Sequence, residues 1–308
     1  MDDRHTVYVT GASGFIGSRL VRALDRSRFK VIGISRSGQV AGCDETLAVD
    51  LSQKVPELPG ARPADTLVHL AAKAHDGKAT AEDFARHTVD VAGNVASAVA
   101  SSGLRRVVHV SSIGARVAAE DPAGAREYGR AKLAAEEAFE RIAGAGGAQI
   151  VTLRPPAIYG AGAAGNFALL DRLVGSGLPL PFGAVDNRRS YLHLEDFTAL
   201  ISALCSLSDT AFEALSGGVF EPAESEAVST RSVAQAMSQA KGRKPLMMPV
   251  PLAGVKFFGR LAGRSDQVDG AFGSLVAHQD RALEDATGWQ PERRVLEELS
   301  RPTRSLDS

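Results

Sequence analysis

The sequence predicts an α/β fold of the doubly wound kind: a parallel sheet with helices on both faces, followed by a smaller C-terminal α/β domain. Three observations predict it. Apolar runs and helical runs alternate through the first half of the chain, which is the rhythm of βαβ units. The apolar runs are continuous rather than alternating, as strands covered on both faces must be. The chain of 308 residues is 44% hydrophobic and 23% charged, enough to build a large core.

The elements follow in order. TVYVTG (6–11) is a strand, SRLVRALDRS (18–27) a helix and VIGIS (31–35) a strand. TLVHLAA (66–72) is a strand, then come a helix over 82–101, the strand VVHVSS (107–112), a helix over 128–143 and the strand QIVTLRP (149–155). After Pro155 the rhythm fails, and residues 156–187 are rich in Gly and Pro. EPAESEAVSTRS (221–232) is a polar loop leading into a helix that starts near Thr230. PLAGVKFFGRLAGR (251–264) is an amphipathic helix, expected to face the core of a small second domain rather than a membrane surface. The expected division is 1–155 with about 188–215 in one domain, and 156–187 with 216–308 in the other.

Composition excludes several classes. A net charge of −1 offers no surface for nucleic acid or anionic lipid. No stretch approaches the roughly 20 apolar residues of a membrane span, and MDDRHTVYVTG has no apolar run of signal-peptide length. Cys43 and Cys205 have no metal spacing and no disulfide framework, so a reduced, cytoplasmic setting is expected. The histidines at 5, 69, 75, 87, 109, 193 and 278 are not spaced as metal ligands, and no metal is expected.

Residues 10–17 read TGASGFIG, giving Gly11-x-x-Gly14-x-x-Gly17 directly after a strand and at the start of a helix. The first glycine makes a tight turn, the second lets backbone approach a pyrophosphate, and the third lets the helix pack on the strand. The helix N-terminus adds N–H donors and positive dipole. Gly11, Ser13, Gly14, Phe15, Ile16 and Gly17 are therefore the expected phosphate contacts of a dinucleotide. The second strand ends in Ser35-Arg36, where such folds usually carry an acid for the ribose hydroxyls of NAD. A hydroxyl and a guanidinium suit a 2′-phosphate instead, so NADP(H) is favoured, with NAD(H) the alternative. Arg36 could also point to solvent or stack on adenine without choosing.

Residues 126–137 read REYGRAKLAAEE, placing Tyr128 and Lys132 four apart on one helical face. A free tyrosine titrates near pH 10. A lysine one turn away and a positive nicotinamide ring would favour the phenolate, letting Tyr128 exchange a proton with a sugar hydroxyl or ketone while hydride moves. VVHVSS ends in Ser111-Ser112 at the carboxyl end of a parallel strand, where ligands bind. Ser112 is the preferred hydrogen-bond donor to the same oxygen.

With these motifs in hand, the sequence resembles the extended short-chain dehydrogenase/reductase family, the NAD-dependent epimerases and dehydratases. The resemblance rests on TGASGFIG, VDL at 49–51, HLAA at 69–72, the VSS strand, Tyr128-x-x-x-Lys132, LRPPAIYG at 153–160, RRSYLHLED at 188–196 and TGWQP at 287–291. It implies a Rossmann-type cofactor domain and a smaller C-terminal domain for a nucleotide-diphosphate sugar such as a UDP-sugar. It assigns Asp50, Leu51, Leu70, Ala71, Ala72 and Pro155 to the cofactor, with Asp50 at the adenine and Pro155 at the nicotinamide. It assigns Lys132 to the nicotinamide ribose, and Asn166 and Arg189 to the substrate diphosphate; arginine is the preferred fork for phosphate. A homodimer through the helices at 82–101 and 128–143 is an option that such enzymes commonly use.

Two departures matter. Where relatives carry N-V-x-G-T, this chain has Asp90-Val91-Ala92-Gly93-Asn94, which puts the usual packing role of that Asn in doubt. Ile113-Gly114 follows Ser112 where dehydratases carry an acidic pair, so the general acid and base for eliminating water are missing. The loop from Ser112 to Tyr128 also looks short. Two activities at C4 of the sugar remain: NADPH-dependent reduction of a UDP-4-keto-6-deoxy-N-acetylhexosamine, favoured by Arg36 and by the block at 165–190, and NAD-dependent 4-epimerisation of UDP-glucose or UDP-GlcNAc. A non-catalytic dinucleotide-binding protein is the third reading, disfavoured because Tyr128 and Lys132 are both present.

Overall fold

The computed structural model describes residues 3–74, 79–163, 166–250 and 272–301, which fall into two compact units. The first unit comprises Met1–Pro155, Leu194–Pro222 and His278–Gln290. Its strands are β1 (His5–Thr10), β2 (Phe29–Ser35), β3 (Glu45–Ala48), β4 (Thr66–His69), β5 (Arg106–Val110), β6 (Gln149–Leu153) and a short final strand, Val219–Phe220. They form one parallel sheet in the order β3-β2-β1-β4-β5-β6, closed at the edge by Val219–Phe220. The chain builds outward from β1 in one direction, then returns through β4 in the other. The carboxyl ends of β1 and β4 therefore flank the switch point, where such sheets hold their ligands.

The strands form because their β-branched and aromatic residues are covered from both sides. In β1, all but His5 are buried. Tyr8, Ile32, Ile34, Leu67, Val107 and Ile150 from the sheet join Val95, Val99 and Phe139 from helices in one core cluster. Each such side chain contributes roughly 1.5–3 kcal/mol on burial.

The helices of this unit begin with α1 (Phe15–Ala23), α2 (Ala81–Phe84), α3 (Asp90–Ser102), α4 (Ile113–Glu120) and α5 (Glu127–Gly146). Three differ from the sequence expectation. Helix α1 starts at Phe15, because Gly14 is its N-cap and the glycine loop runs straight into it. The expected helix over 82–101 is interrupted by a wider π turn, Ala85–Val89, between α2 and α3. There the His87 carbonyl accepts the Lys73 N–H at 3.0 Å. The short loop expected after Ser112 contains the eight-residue α4, capped by the Ser112 side chain. Strand β3 was also not anticipated; it is a four-residue edge strand with no buried residue, so it carries little apolar signal.

The second unit comprises Pro156–His193, Ala223–Ala277 and Pro291–Ser308. It pairs β7 (Ala157–Tyr159) in parallel with β8 (Tyr191–His193) and contains α6 (Asn166–Gly175) and the helix Thr230–Ala240, whose N-cap Ser229 accepts the Ser232 N–H. Tyr159, Phe182, Tyr191, Val233, Met237 and Val295 form its core. Three boundaries differ from expectation: 188–193 belong to this unit, while 216–222 and His278–Gln290 belong to the first. There the Trp289 indole donates to the Asp196 carbonyl at 2.8 Å. The amphipathic segment 251–264 and His75 lie outside the described residues.

Candidate active site

The glycine loop is built around Gly11, whose φ of 66° is left-handed. A Cβ there would lie 2.9 Å from the Ala71 nitrogen, so the loop rests directly on the end of β4. A Cβ on Gly17 would lie 2.2 Å from the Gly11 carbonyl oxygen, which fixes how closely α1 packs on β1. The first-turn N–H groups of Phe15, Ile16 and Gly17 have no acceptor within the helix. The Gly14 N–H is used inside the loop, donated to the Gly11 carbonyl at 2.9 Å; unsatisfied N–H groups at a helix N-terminus are the kind that can receive a phosphate.

Sequence reasoning missed the residue that holds this corner together. The buried Thr10 hydroxyl accepts the N–H of Leu70 at 3.1 Å and of Ala71 at 3.2 Å. Its own proton is then left for His69 Nδ1, 2.9 Å away. Leu70, Ala71 and Ala72 stay half-buried just past the end of β4. The sequence signal was available: Thr10 is the last residue of the strand before the first glycine.

At the end of β2, Ser35 is buried with its hydroxyl 3.3 Å from that of Ser37. Arg36 is exposed, and no hydrogen bond or ion pair holds its guanidinium among the described residues. Asp50 lies close to it. The Asp50 carboxyl is held below its ordinary range chiefly by the Ser52 hydroxyl and N–H, with Arg36 and His87 adding positive charge. Leu51 is buried in the core, and its carbonyl accepts Asn94 Nδ2 at 2.8 Å. In the departed Asp-Val-Ala-Gly-Asn run, Asn94 is thus the residue that ties α3 to the segment carrying Asp50.

Ser112, Tyr128 and Lys132 come together at the carboxyl end of β5. Ser112 Oγ accepts the Gly114 N–H at 3.1 Å and is hydrogen-bonded to the Tyr128 phenol. The Phe84 ring lies edge-on to Tyr128 at 6.0 Å between centroids. Lys132 is buried, and its ammonium donates to the Val110 carbonyl at 2.9 Å. Burial raises the pKa of the Tyr128 phenol above its ordinary value, and the Ser112 bond acts in the other direction. The Lys132 ammonium is directed at the Val110 carbonyl. Burial in turn pushes Lys132 down to about 8, against the pull of Glu136.

Glu136 was not anticipated, although it continues the four-residue spacing of Tyr128 and Lys132 on the same face. Its carboxylate receives Arg154 Nε at 2.9 Å and Nη2 at 2.5 Å. Arg154 precedes Pro155, whose carbonyl accepts the Ile113 N–H at 3.0 Å. Behind Lys132, the rings of His69 and His109 stack at 5.4 Å, with Phe139 against both. Burial and the charge of Lys132 keep His69 neutral, its pKa pushed down to about 3.

Asn166 and Arg189 lie in the second unit. Asn166 opens α6, and its side chain is outside the described residues. Arg189 donates to the Gly273 carbonyl at 2.8 Å and pairs its backbone with Val228; its charge also bears on the Tyr191 phenol. Arg188 is exposed. Among the described residues, no group of three His, Cys, Asp or Glu side chains could hold a metal ion, and no helix is long and apolar enough to cross a membrane.

Comparison with known proteins converges on this architecture. The model of the NAD dependent epimerase/dehydratase family matches residues 7–213. A UDP-glucose 4-epimerase of Vibrio cholerae is 30% identical over 313 residues, covering 95% of this chain and 92% of the relative. A ceramide reductase of Caulobacter vibrioides is 28% identical over 84% of this chain and 78% of the relative. A crystal structure of UDP-galactose 4-epimerase superimposes with a TM-score of 0.72 at 20% identity, covering 96% of each chain.

Proposed function

Since the chain belongs to the NAD-dependent epimerase/dehydratase family and is an NAD(P)-dependent enzyme of the extended short-chain dehydrogenase/reductase type, we propose that it reduces C4 of a UDP-4-keto-6-deoxy-N-acetylhexosamine with NADPH. The observation that carries this reading is Arg36. Its exposed guanidinium follows the buried Ser35 at the end of β2, where a carboxylate would favour NAD. A charged hydrogen bond to a 2′-phosphate is worth about 1.5–3 kcal/mol, or roughly a 10- to 100-fold preference. An epimerase that returns its hydride gains nothing from NADP, whereas a reductase consumes NADPH once per turnover.

The glycine loop, the end of β4 and Pro155 would hold the dinucleotide, with Lys132 at its nicotinamide ribose. When bound, the nicotinamide supplies the hydride to C4. Tyr128 gives its phenolic proton to the ketone oxygen, which becomes the product hydroxyl, and is reprotonated from solvent. An ordinary phenol already carries its proton at neutral pH, so Tyr128 enters the reduction as the donor. Ser112 donates a hydrogen bond to the same oxygen. Arg189 and Asn166, in the second unit, would hold the diphosphate. The free thiols Cys43 and Cys205 support a reducing, cytoplasmic setting.

NAD-dependent 4-epimerisation of a UDP-sugar is the second reading, supported by the 30% identity to the Vibrio cholerae epimerase. Assaying both reactions separates them. The reductase reading expects one NADPH oxidised per ketone reduced, and loss of that activity in Tyr128→Phe. Epimerisation of UDP-glucose or UDP-GlcNAc without added reductant would overturn it in favour of the second.

A further inference from the structure

Helices α4 and α5 cross at two glycines, Gly114 and Gly129. We propose that Gly129 is a positioning residue: it lets α4 rest directly on α5 and so holds Ser112, the cap of one helix, against the phenol of Tyr128 on the other. A Cβ on Gly129 would lie 2.5 Å from the Gly114 carbonyl oxygen and 3.1 Å from its carbon, both rigid backbone atoms. The restriction is one-sided. A Cβ on Gly114 would meet Ser112 Oγ at 3.5 Å, Gly129 Cα at 3.6 Å and Tyr128 Cδ1 at 3.7 Å, all ordinary contacts. On the same helix as Gly129, a Cβ on Gly144 would meet nothing within 4 Å. Helix propensity alone would favour alanine at position 129, so the glycine answers to the crossing.

The crossing matters because of what Ser112 does with its one oxygen. By capping α4 it accepts the Gly114 N–H at 3.1 Å. Its O–H is thereby left to be donated, toward Tyr128 or toward a substrate oxygen. An alanine at 129 forces the start of α4 to retreat by about 0.9 Å before its contact with Gly114 reaches an ordinary 3.4 Å. Ser112 caps that helix and moves with it, while Tyr128 stays on α5. Groups near the phenol among the described residues include the Ser112 hydroxyl, the uncharged Phe84 ring and, one turn along, the Lys132 ammonium bonded to Val110.

This inference rests on the reading of Ser112 and Tyr128 as the reacting pair, and the test keeps the two apart. The full chain is labelled with 13Cζ-tyrosine, and Tyr128 is assigned among its four tyrosines by its loss in Tyr128→Phe. In Gly129→Ala the Tyr128 resonance is expected to move toward its position in Ser112→Ala, while Tyr8, Tyr159 and Tyr191 stay put and NADPH affinity stays within twofold. Turnover is expected to fall roughly 100-fold, as a displacement of this size can cause. Gly144→Ala is expected to match the unmodified protein. A folded Gly129→Ala with an unmoved Tyr128 resonance overturns the inference. Should that variant not fold, Ala118→Val pushes on the same crossing, since the Ala118 methyl lies 3.7 Å from where the Gly129 Cβ would be. An unmoved resonance there overturns it equally. A moved resonance alongside a fully active Tyr128→Phe would leave the crossing intact and sink the catalytic reading instead.

Discussion

Glu136 grips Arg154 with both carboxylate oxygens, one helical turn beyond Lys132 and with only 2% of its own surface exposed. It is the carboxylate that works against the burial of Lys132 and keeps its ammonium charged near neutrality. Glu136→Gln removes that support, so the pKa of Lys132 should fall below its present value of about 8. The loss of NAD(P)H affinity with rising pH should then begin at lower pH, which binding titrations between pH 6 and 9 would detect. The variant also leaves the guanidinium without its partner, and breaking a buried pair costs about 3 kcal/mol or more. An unshifted binding profile would mean that Glu136 serves only the fold.

The stacked histidines make stability depend on acid. His69 is pushed down to about 3 and His109 well below its ordinary value, in both cases first by burial and then by positive charge nearby. A folded-state pKa below the unfolded one means that the unfolded chain takes up the proton first. Stability is therefore full above about pH 6.5 and is lost as pH falls toward the folded value, by up to about 1.4 kcal/mol per pH unit for each ring. His109→Phe keeps a ring against Phe139 and removes one such group. Its stability loss between pH 7 and pH 5, followed by urea unfolding, should be smaller than that of the unmodified protein. Equal losses would refute the assignment.

Thr10→Val tests the corner beneath the glycine loop. Valine keeps the shape but withdraws the acceptor from Leu70 and Ala71, whose N–H groups bond at 3.1 and 3.2 Å. Leaving two donors unmet should cost about 2 kcal/mol in total. Because Gly11 rests on Ala71, cofactor affinity should fall along with stability. A urea midpoint and an NADPH affinity that both hold would show that the corner is fixed by packing alone.

These relationships divide by how they are written in the chain. The glycine loop, the strands of the sheet and the spacing of Tyr128 and Lys132 are local patterns, each set by a short run whose chemistry is self-explanatory. Glu136 carried a visible signal at the same spacing, but its meaning depends on Arg154, 18 residues away on another element. The stack of His69 on His109 exists only because β4 and β5 pair in the register that sets them side by side. Helix α4 was hidden for a different reason: Ser112 reads as an end-of-strand hydroxyl, and only the fold makes it also a cap. The second unit was the least legible, since its Gly- and Pro-rich stretches carry no periodicity and its bonds, such as Arg189 to Gly273, join distant segments.

Arg36→Ala bears most directly on function. The guanidinium is exposed and unengaged by hydrogen bonds among the described residues, so its removal should leave unfolding unchanged. If it receives a 2′-phosphate, NADPH affinity should fall roughly 10- to 100-fold while NADH affinity holds, because only one of the two carries the group. The effect should shrink as ionic strength rises, since an exposed charge pair is screened. Isothermal titration of both cofactors at low and moderate salt measures all of this. Parallel small losses for NADPH and NADH would make Arg36 a bystander at the adenine, and the case for net reduction over epimerisation would lose its main support.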